Sequence, residues 1–311
     1  MQKTIRKTLS IVVAVYKNEE SIGPFLTRLE KTVQTNKDSF DFEIIVVDDG
    51  TPDKSMAEIE KYINNGTTLK IRKIALSRNF GQMSAILAGM SVSNGDAIVN
   101  ISADLQDPPE LLSEMLTSYT AGNKVVICAR KVRQDGVLQK STSFLAYYFL
   151  RRGPHDIPKG GFDYFLLDRE VVKHLLALKG RFRFFQGDIL SLGFNPDIID
   201  YVREKRHYGK SSYSFSGRFQ VFVDSIIDIS YLPIKIITRI GFIAAITGFF
   251  FAALTVVSYF KGTAPFNGFS AIFCALLVFG GLQIMATGLI GEYIFRIYDL
   301  NRERPTYIIK D

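Results

Sequence analysis

The sequence predicts an α/β fold built on a mostly parallel sheet and followed by amphipathic and membrane-spanning helices. Over the first 130 of its 311 residues, short apolar runs alternate with segments of helical periodicity. Near-continuous apolar strands separated by helices are typical of a parallel sheet that helices cover on both faces. Further on, the stretch from Ile240 to Arg296 is almost continuously apolar, which indicates a membrane region after a soluble domain.

The first 130 residues contain five predicted strands and four predicted helices. The strands are LSIVVAV (9–15), FEIIVVD (42–48), LKIRKIAL (69–76), AIVNIS (97–102) and KVVICAR (124–130). A first helix follows the helical spacing of apolar residues from Ile22 to Val33, with Ser21 as its expected cap. Further helices are expected at about 53–64, 81–91 and 109–121. Ligands of such sheets collect at the carboxyl ends of the strands, so the chemistry is expected there.

Two apolar segments predict a helical hairpin in the membrane. Ile240 to Phe260 and Phe269 to Ile290 are each about 20 residues long, enough to cross a hydrocarbon layer of roughly 30 Å. Basic residues flank the pair at both ends, while the link between the segments carries only Lys261, so both ends are expected in the cytoplasm. A buried hairpin in a soluble protein is the alternative. The preceding apolar stripe, Phe215 to Ile227, fits an interfacial helix or an ordinary core helix, and its position favours the first.

The charge and cysteine content narrow the function classes. The net charge of +7 allows a nucleic acid, a membrane surface or a phosphate-bearing substrate as partner. The sequence has neither an arginine-rich arm nor zinc-finger spacing, so no nucleic-acid partner is expected. Cys128 and Cys274 lie far apart and resemble neither a disulfide framework nor a metal site, which fits a reducing compartment.

Polar residues follow the second and third strands. Asp48 and Asp49 precede Gly50 and could accept hydrogen bonds from a nucleotide base and ribose, although such residues also serve simple turns. Arg78 follows the third strand, and Gly81 opens the next helix. A basic side chain beside a helix N-terminus suits a diphosphate, with helix capping as the alternative.

The stretch ISADLQDPPE follows the fourth strand. Asp104 and Gln106 offer oxygen ligands of the kind that Mg²⁺ and Mn²⁺ prefer. An acidic helix N-terminus is the alternative; it accounts for Glu110 but not for Gln106. Ser102 brings a hydroxyl where the alternating pattern would place a third ligand.

Four motifs carry a family resemblance. VVAVYKNEESI, VVDDGTPDKS, SRNFGQMSAILAGM and ADLQDPPE occur in the order and spacing of the family-two inverting glycosyltransferases. More narrowly, the chain resembles polyprenyl-phosphate glycosyltransferases of the dolichol-phosphate-mannose-synthase type, in their bacterial branch with a C-terminal membrane hairpin. The segment GEYIFRIYDLNRERPTYII, residues 291–309, is similar to the closing signature of that branch. The resemblance covers residues 9–309 and implies a GT-A-type, Rossmann-like fold.

The resemblance also implies an activity and its partners. A nucleotide-diphosphate sugar, with a UDP-sugar such as UDP-glucose favoured, would donate one hexose or aminohexose to polyprenyl (undecaprenyl) phosphate. The lipid-linked sugar would serve cell-envelope glycan modification after transfer across the membrane by a flippase. The implied cofactor is Mg²⁺ or Mn²⁺. The other implied partners are membrane lipids and further copies of the chain, a homo-oligomer for which a tetramer is one option.

On the donor side, the resemblance assigns residues by matching positions. The nucleoside pocket would be lined by Ala14, Tyr16, Glu19, Asp48 and Asp49. Arg78 would lie near the diphosphate, and Asp104 and Gln106 would bind the metal, with Ser102 in place of the usual aspartate.

On the acceptor side, Arg130, Lys140 and Ser143 would hold the phosphate. GFDYFLLDR, residues 161–169, places Asp163 on the functional aspartate, so that Asp163 and Asp104 are the expected catalytic residues. Phe162 and Phe165 depart from the family pattern there. A second basic cluster within YVREKRHYGKSSYS, residues 201–214, could close over the donor or meet anionic headgroups, and the sequence leaves both open.

The resulting organisation has four parts at the cell (inner or plasma) membrane. Residues 1–212 would form a cytoplasmic nucleotide-sugar-binding glycosyltransferase domain, 213–233 a juxtamembrane amphipathic helix, 234–295 a two-helix transmembrane hairpin and 296–311 a cytoplasmic tail. Two other functions stay open. A polymerising polysaccharide synthase usually carries a Q-x-x-R-W segment, but this chain has no Trp. A catalytically weakened membrane scaffold that binds nucleotide sugar is favoured by Ser102 alone.

Overall fold

In a computed structural model of the chain, the described residues are 6–130, 158, 161–178, 185–204, 269–301 and 305–310, with short stretches between 239 and 261. The chain divides into two compact units. The first comprises residues 1–222 together with 305–311, and the second comprises residues 223–304.

The first unit is built on a seven-stranded sheet in the order β3-β2-β1-β4-β6-β5-β7. The strands are β1 (Lys7–Val15), β2 (Phe40–Asp48), β3 (Ile71–Ala75), β4 (Ala97–Asn100), β5 (Val125–Arg130), β6 (Tyr164–Asp168) and β7 (Pro196–Tyr201). Only β6 runs antiparallel to its neighbours, so the prediction of a mostly parallel sheet is confirmed. Neither β6 nor β7 was among the predicted strands.

The helices that cover this sheet follow the predicted alternation. They are α1 (Ile22–Asn36), α2 (Ser55–Asn64), α3 (Gln82–Val92), a short 3-10 helix (Pro109–Leu111), α4 (Leu112–Thr120), α5 (Arg169–Ala177) and α6 (Phe185–Ser191). Ser21 is the N-cap residue of α1, as predicted, but it does not cap the helix through its side chain. The side chain of Ser21 makes no capping hydrogen bond to the helix, because its hydroxyl donates to the Asn18 carbonyl at 3.3 Å instead.

Side chains of β1 alternate between two hydrophobic cores, one on each face of the sheet. Ile11 and Val13 are fully buried in the core that α1 and α4 cover, whereas Val12 is fully buried in the opposite core beneath α3 and α5. A Cβ on Gly89 of α3 would lie 2.4 Å from Val12 Cγ1, so this glycine allows the helix to approach the strand. Each such buried aliphatic side chain contributes roughly 1.5–3 kcal/mol, and the two-sided burial explains the nearly unbroken apolar strands.

The C-terminal segment of the chain covers the edge of β3. Leu76 pairs with Ile309 in an antiparallel bridge. The Ser77 amide donates to the Ile308 carbonyl at 2.9 Å, and the Lys310 amide donates to the Ala75 carbonyl at 2.8 Å. These bonds satisfy backbone groups that an edge strand would otherwise expose. They also brace the backbone just before Arg78.

In the second unit, α7 (Phe269–Asn301) is a helix of 33 residues that includes the second predicted span. Among the described residues, no helix combines the length and the hydropathy needed to cross a membrane. Most of 240–260 and all of 213–233 lie outside the described residues, so the hairpin and the interfacial helix stay predictions.

Candidate active site

The polar residues singled out by the sequence meet at one edge of the sheet. Because β6 alone is antiparallel, this edge carries the carboxyl ends of the other six strands and the start of β6. It therefore gathers Tyr16, Asp48, Arg78, Asp104, Arg130, Asp163 and Tyr201. Such an edge is where open α/β sheets bind their ligands.

The loops after β1 and β2 are bonded to each other. The Lys17 amide donates to the Thr51 hydroxyl at 2.8 Å. Glu19 accepts a hydrogen bond from the Lys54 amide at 3.2 Å, and its own amide donates to Asp53 at 3.1 Å. Lys17 has a φ of 58°, a left-handed conformation that is uncommon for a residue other than glycine. These bonds fix the loops that hold the predicted nucleoside-binding residues Tyr16, Glu19 and Asp49, next to Ala14 on β1 and Asp48 at the end of β2.

The two adjacent aspartates have different surroundings. Asp49 is 2% exposed and accepts hydrogen bonds from the backbone amides of Phe80 and Gly81 at 2.7 and 3.0 Å. Burial raises the pKa of Asp49 above its ordinary value, and the two amides partly oppose that change. Asp48 is half-buried and accepts from the Thr51 amide at 2.8 Å. Asp49 thus ties β2 to the start of α3, and Asp48 keeps some contact with solvent.

Arg78 is placed beside this turn by close backbone packing. Gly50 has a φ of +66°, and a Cβ there would lie 2.8 Å from the Asn79 nitrogen and 2.9 Å from the Arg78 carbonyl carbon. The exposed Arg78 guanidinium stacks on the Phe80 ring, 4.1 Å from its centroid. It also donates to the Asn79 carbonyl at 3.1 Å. The positively charged Arg78 side chain is therefore held at the N-terminus of α3, a position that favours a diphosphate.

The loop after β4 presents alternate side chains to the edge. Ser102, Asp104 and Gln106 are partly exposed, while the residues between them are buried. Leu105 has a φ of 60°, a strained conformation for a bulky residue and one that is common at functional sites. The Gln106 amide donates to Asp104 Oδ1 at 3.1 Å. Ser102 therefore lies on the same side of the loop as the two predicted metal ligands.

The donor set of this loop fits a shared metal ion. Asp104 and Gln106 provide one carboxylate and one amide oxygen, both hard ligands. Among the described residues, no group of three or more His, Cys, Asp or Glu side chains is placed to hold a metal. These two oxygen ligands suit a divalent cation that takes the rest of its shell from other groups, such as a bound diphosphate.

The segment after β7 is attached to this loop. The Glu204 amide donates to the Gln106 carbonyl at 3.0 Å. The Arg203 guanidinium lies 3.9 Å from Asp104 Oδ2 and 3.6 Å from Asp107 Oδ1. Arg28 of α1 bridges Glu204 at 2.8 Å and Glu110 at 2.7 Å. Arg203, which the sequence assigned only to a basic cluster, therefore lies against the loop of the predicted metal ligands.

The predicted acceptor-side residues Arg130 and Asp163 form an ion pair. Asp163 also accepts from Gln186 Nε2 at 3.4 Å, and its carbonyl accepts from Asn100 Nδ2 at 2.7 Å. Phe162 and Phe165, the departures from the family pattern, are 1% exposed and lie in the hydrophobic core. Lys140 and Ser143 lie outside the described residues.

Two residues that the sequence did not assign complete this side. Tyr201, at the end of β7, donates its hydroxyl to the fully buried carboxylate of Asp107. Burial raises the pKa of both groups. In the described part of the chain, the buried side-chain atoms without a hydrogen-bond partner are Asp107 Oδ2, Arg130 Nε and Arg203 Nε. All three lie in this cluster, as expected of a site completed by a polar ligand. The sequence signal that could have identified Tyr201 is an aromatic residue two positions before Arg203, the start of the basic run.

Sequence comparisons find similar proteins over most of the chain. The family described as glycosyl transferase family 2 matches residues 10–176. The bactoprenol glucosyl transferase of Shigella phage SfV is 30% identical over 307 residues, which cover 97% of this chain and 98% of that protein. The undecaprenyl-phosphate 4-deoxy-4-formamido-L-arabinose transferase of Photorhabdus laumondii is 33% identical over 308 residues, which cover 98% and 94% of the two chains.

A solved structure shows the same fold. The glucosyl-3-phosphoglycerate synthase of Mycobacterium tuberculosis, crystallised with Mn²⁺, uridine diphosphate and glucosyl-3-phosphoglycerate, superimposes with a TM-score of 0.50. The match has 15% sequence identity and covers 72% of this chain and 80% of that one. At this identity the likeness concerns the α/β fold alone.

Proposed function

The chain belongs to glycosyl transferase family 2, and from that premise we propose that it transfers one hexose or aminohexose from a nucleotide-diphosphate sugar to polyprenyl phosphate. One observation supports this most strongly. The oxygen ligands Asp104 and Gln106 and the cationic residue Arg130 lie at the same edge of the sheet. Such an edge can hold a donor diphosphate and an acceptor phosphate together. The acceptor class rests on the two full-length relatives, whose names specify bactoprenol and undecaprenyl phosphate.

On the donor side, the task is to stabilise the departing nucleotide diphosphate. Arg78 stands at the start of α3, where its charge and the helix dipole both favour a diphosphate. Asp104 and Gln106 would hold a divalent cation, Mg²⁺ or Mn²⁺, which offsets charge on the leaving group when bound. We favour UDP as the nucleotide; the half-buried Asp48 and the adjoining loop after β1 would take the nucleoside.

On the acceptor side, the nucleophile is an oxygen of a phosphate monoester. Its second pKa is about 6, so the group is already anionic near neutral pH and has little need of a strong base. Arg130 would bind that phosphate, and Asp163 would hold the guanidinium in place. The oxygen then forms a bond to the anomeric carbon as the bond to the diphosphate breaks on the opposite face, which inverts the configuration. Alignment and charge stabilisation supply the rate enhancement.

We place this reaction at the cytoplasmic face of the cell membrane, with both termini in the cytoplasm. The proposal rests on the apolar segments 240–260 and 269–290, the flanking basic residues and the lipid acceptors in the relatives' names. We further propose that the protein forms a homo-oligomer and that a separate flippase moves its product across the membrane.

A scaffold that binds nucleotide sugar without turnover is the second candidate. Ser102 favours it, because a carboxylate is missing from the partly exposed side of the metal-binding loop. Donor binding that is unaffected by acceptor and gives no product would support the scaffold.

The test uses the full-length protein in lipid nanodiscs, labelled UDP- and GDP-sugars, undecaprenyl phosphate and Mn²⁺ or Mg²⁺. We expect a metal-dependent labelled lipid that carries one sugar. Asp104→Ala is expected to lower its formation by about a hundredfold or more, because the leaving group loses its charge stabilisation. Asp38→Ala, which removes an exposed carboxylate after α1, is the matched control. Absence of labelled lipid with every donor would refute the proposed reaction.

A further inference from the structure

We propose that Tyr201 is a positioning residue, and that its hydroxyl holds the acceptor-binding Arg130 through a buried hydrogen-bond relay that begins at Asp107. This inference rests on the proposed function, because it assigns Arg130 to the acceptor phosphate. It adds two residues from outside the predicted acceptor-binding set, one on β7 and one on the loop after β4.

The relay has four members on four different elements. Tyr201 donates its hydroxyl to Asp107 Oδ1. Arg130 and Tyr201 are register partners in the parallel strands β5 and β7, so their side chains lie on the same face of the sheet, and the Arg130 guanidinium forms the ion pair with Asp163. We infer that the same Tyr201 hydroxyl oxygen accepts a hydrogen bond from that guanidinium. A tyrosine hydroxyl has one donor and free lone pairs, so donating to the carboxylate leaves its oxygen available to accept from the arginine. The order Asp107, Tyr201, Arg130, Asp163 therefore gives each neighbouring pair one donor and one acceptor.

The members of the relay become more exposed from Asp107 to Asp163. Asp107 is fully buried and Tyr201 is 5% exposed, whereas the side chain of Asp163 is 44% exposed. The chain of contacts thus runs from the interior to the accessible edge of the sheet, with the guanidinium between the two carboxylates. In a water-poor setting, hydrogen bonds hold their partners more firmly than at the surface. The buried Tyr201 and Asp107 therefore hold the Arg130 guanidinium on its interior side. Its accessible side faces Asp163 and, in our proposal, the acceptor phosphate.

The relay also touches the donor side. Asp107 follows Gln106 in the sequence, and Arg203 lies 3.6 Å from Asp107 and 3.9 Å from Asp104. The carboxylate that anchors Tyr201 therefore belongs to the loop that carries the predicted metal ligands. We infer that this contact fixes the position of Arg130 relative to that loop. It would thereby fix the acceptor phosphate relative to the donor diphosphate.

A second buried tyrosine provides a matched control. Tyr119 is also 5% exposed, and its hydroxyl donates to a carboxylate, Asp168, at 3.0 Å. Asp168 ends β6 at the opposite edge of the sheet from Asp163. Tyr119→Phe thus removes a comparable tyrosine–carboxylate bond far from the proposed chemistry.

The experiment measures steady-state kinetics of the full-length wild type, Tyr201→Phe, Tyr119→Phe, Arg130→Ala and the Tyr201→Phe/Arg130→Ala double variant in nanodiscs. Tyr201→Phe is expected to lower kcat/KM for undecaprenyl phosphate about tenfold, since one hydrogen bond to a charged group is lost. The KM for the donor should change less than twofold. Tyr119→Phe should leave both parameters near the wild type. In the Arg130→Ala background, Tyr201→Phe should have little further effect, because the two residues act through one another.

Three results would overturn the relay: equal losses for the two tyrosine variants, a loss shared equally by donor and acceptor parameters, or additive effects of Tyr201→Phe and Arg130→Ala. If Tyr201→Phe does not fold, Asp107→Asn takes its place in the cycle, and additivity would again overturn the inference. A wild type that glycosylates no polyprenyl phosphate refutes the proposed function as well. Normal wild-type turnover with an unselective Tyr201→Phe refutes the relay alone.

Discussion

Ser102 is the residue at which the donor site departs from the family pattern. It lies on the partly exposed side of the loop together with Asp104 and Gln106, and the residues between these three are buried. A carboxylate at this position would face the same region as the other two ligands. If the loop binds a metal as proposed, Ser102 supplies a hydroxyl where the family pattern has a carboxylate, and we expect weaker metal binding rather than loss of the site.

Ser102→Asp is therefore expected to lower the Mn²⁺ concentration that gives half-maximal transfer, by roughly tenfold, because a further hard anionic ligand strengthens the site. Titrating metal against transfer rate measures this directly. Ser102→Asn, which has similar size without charge, should shift the titration much less. An unchanged metal requirement in Ser102→Asp would place residue 102 outside the metal's ligands.

At the scale of elements, one carboxylate of α1 bonds to two neighbouring segments of the chain. Glu30 accepts hydrogen bonds from the hydroxyls of Tyr62, Thr67 and Thr68 and from the Thr68 amide. Partial burial by itself raises the pKa of Glu30, but these hydrogen bonds outweigh it and lower the pKa to about 2. Glu30 therefore links α1 to α2 and to the turn before β3.

The sign of the pH effect follows from this lowered pKa. The folded protein favours ionised Glu30, so its contribution to stability is present above the unfolded value of about 4.5 and is lost as the pH falls towards 2. After allowance for solvent screening, Glu30→Gln should lower the free energy of unfolding at pH 7 by about 1–2 kcal/mol. Denaturant unfolding of both proteins at several pH values tests this. An equal difference at pH 7 and pH 2.5 would contradict the assigned cause.

The elements were predictable where one local pattern determines them. β1 to β5 and their helices have strong apolar periodicity, and the structure places them within a few residues of the predicted bounds. β6 has only five residues and takes its place from pairing with β4 and β5 on either side. That pairing is a long-range choice that no local pattern encodes, so β6 was missed. The side-chain cap expected at Ser21 fails for a different, local reason, since the hydroxyl donates to the Asn18 carbonyl three residues earlier.

At the scale of the whole molecule, the candidate site is assembled from distant parts of the chain. The sequence identified Asp104, Gln106 and Asp163 because each stands in a recognisable motif, and Arg130 because it follows the fifth predicted strand at a position that resembles the family's phosphate-holding one. It did not reveal the Tyr201 relay, whose members come together only when β7 pairs with β5. The bracing of the Arg78 loop by residues 308–310 is likewise a contact between segments more than 200 residues apart.

The central claim is that one edge of the sheet serves a donor and an acceptor through separate residues. Calorimetric donor binding and transfer to undecaprenyl phosphate, compared in Asp104→Asn and Arg130→Ala, test it most directly. Arg130→Ala should bind nucleotide sugar with Mn²⁺ as the wild type does and yet lose about a hundredfold or more in transfer. Asp104→Asn should lose metal-dependent donor binding and transfer together. Wild-type transfer by Arg130→Ala, or equal loss of donor binding in both variants, would contradict the account.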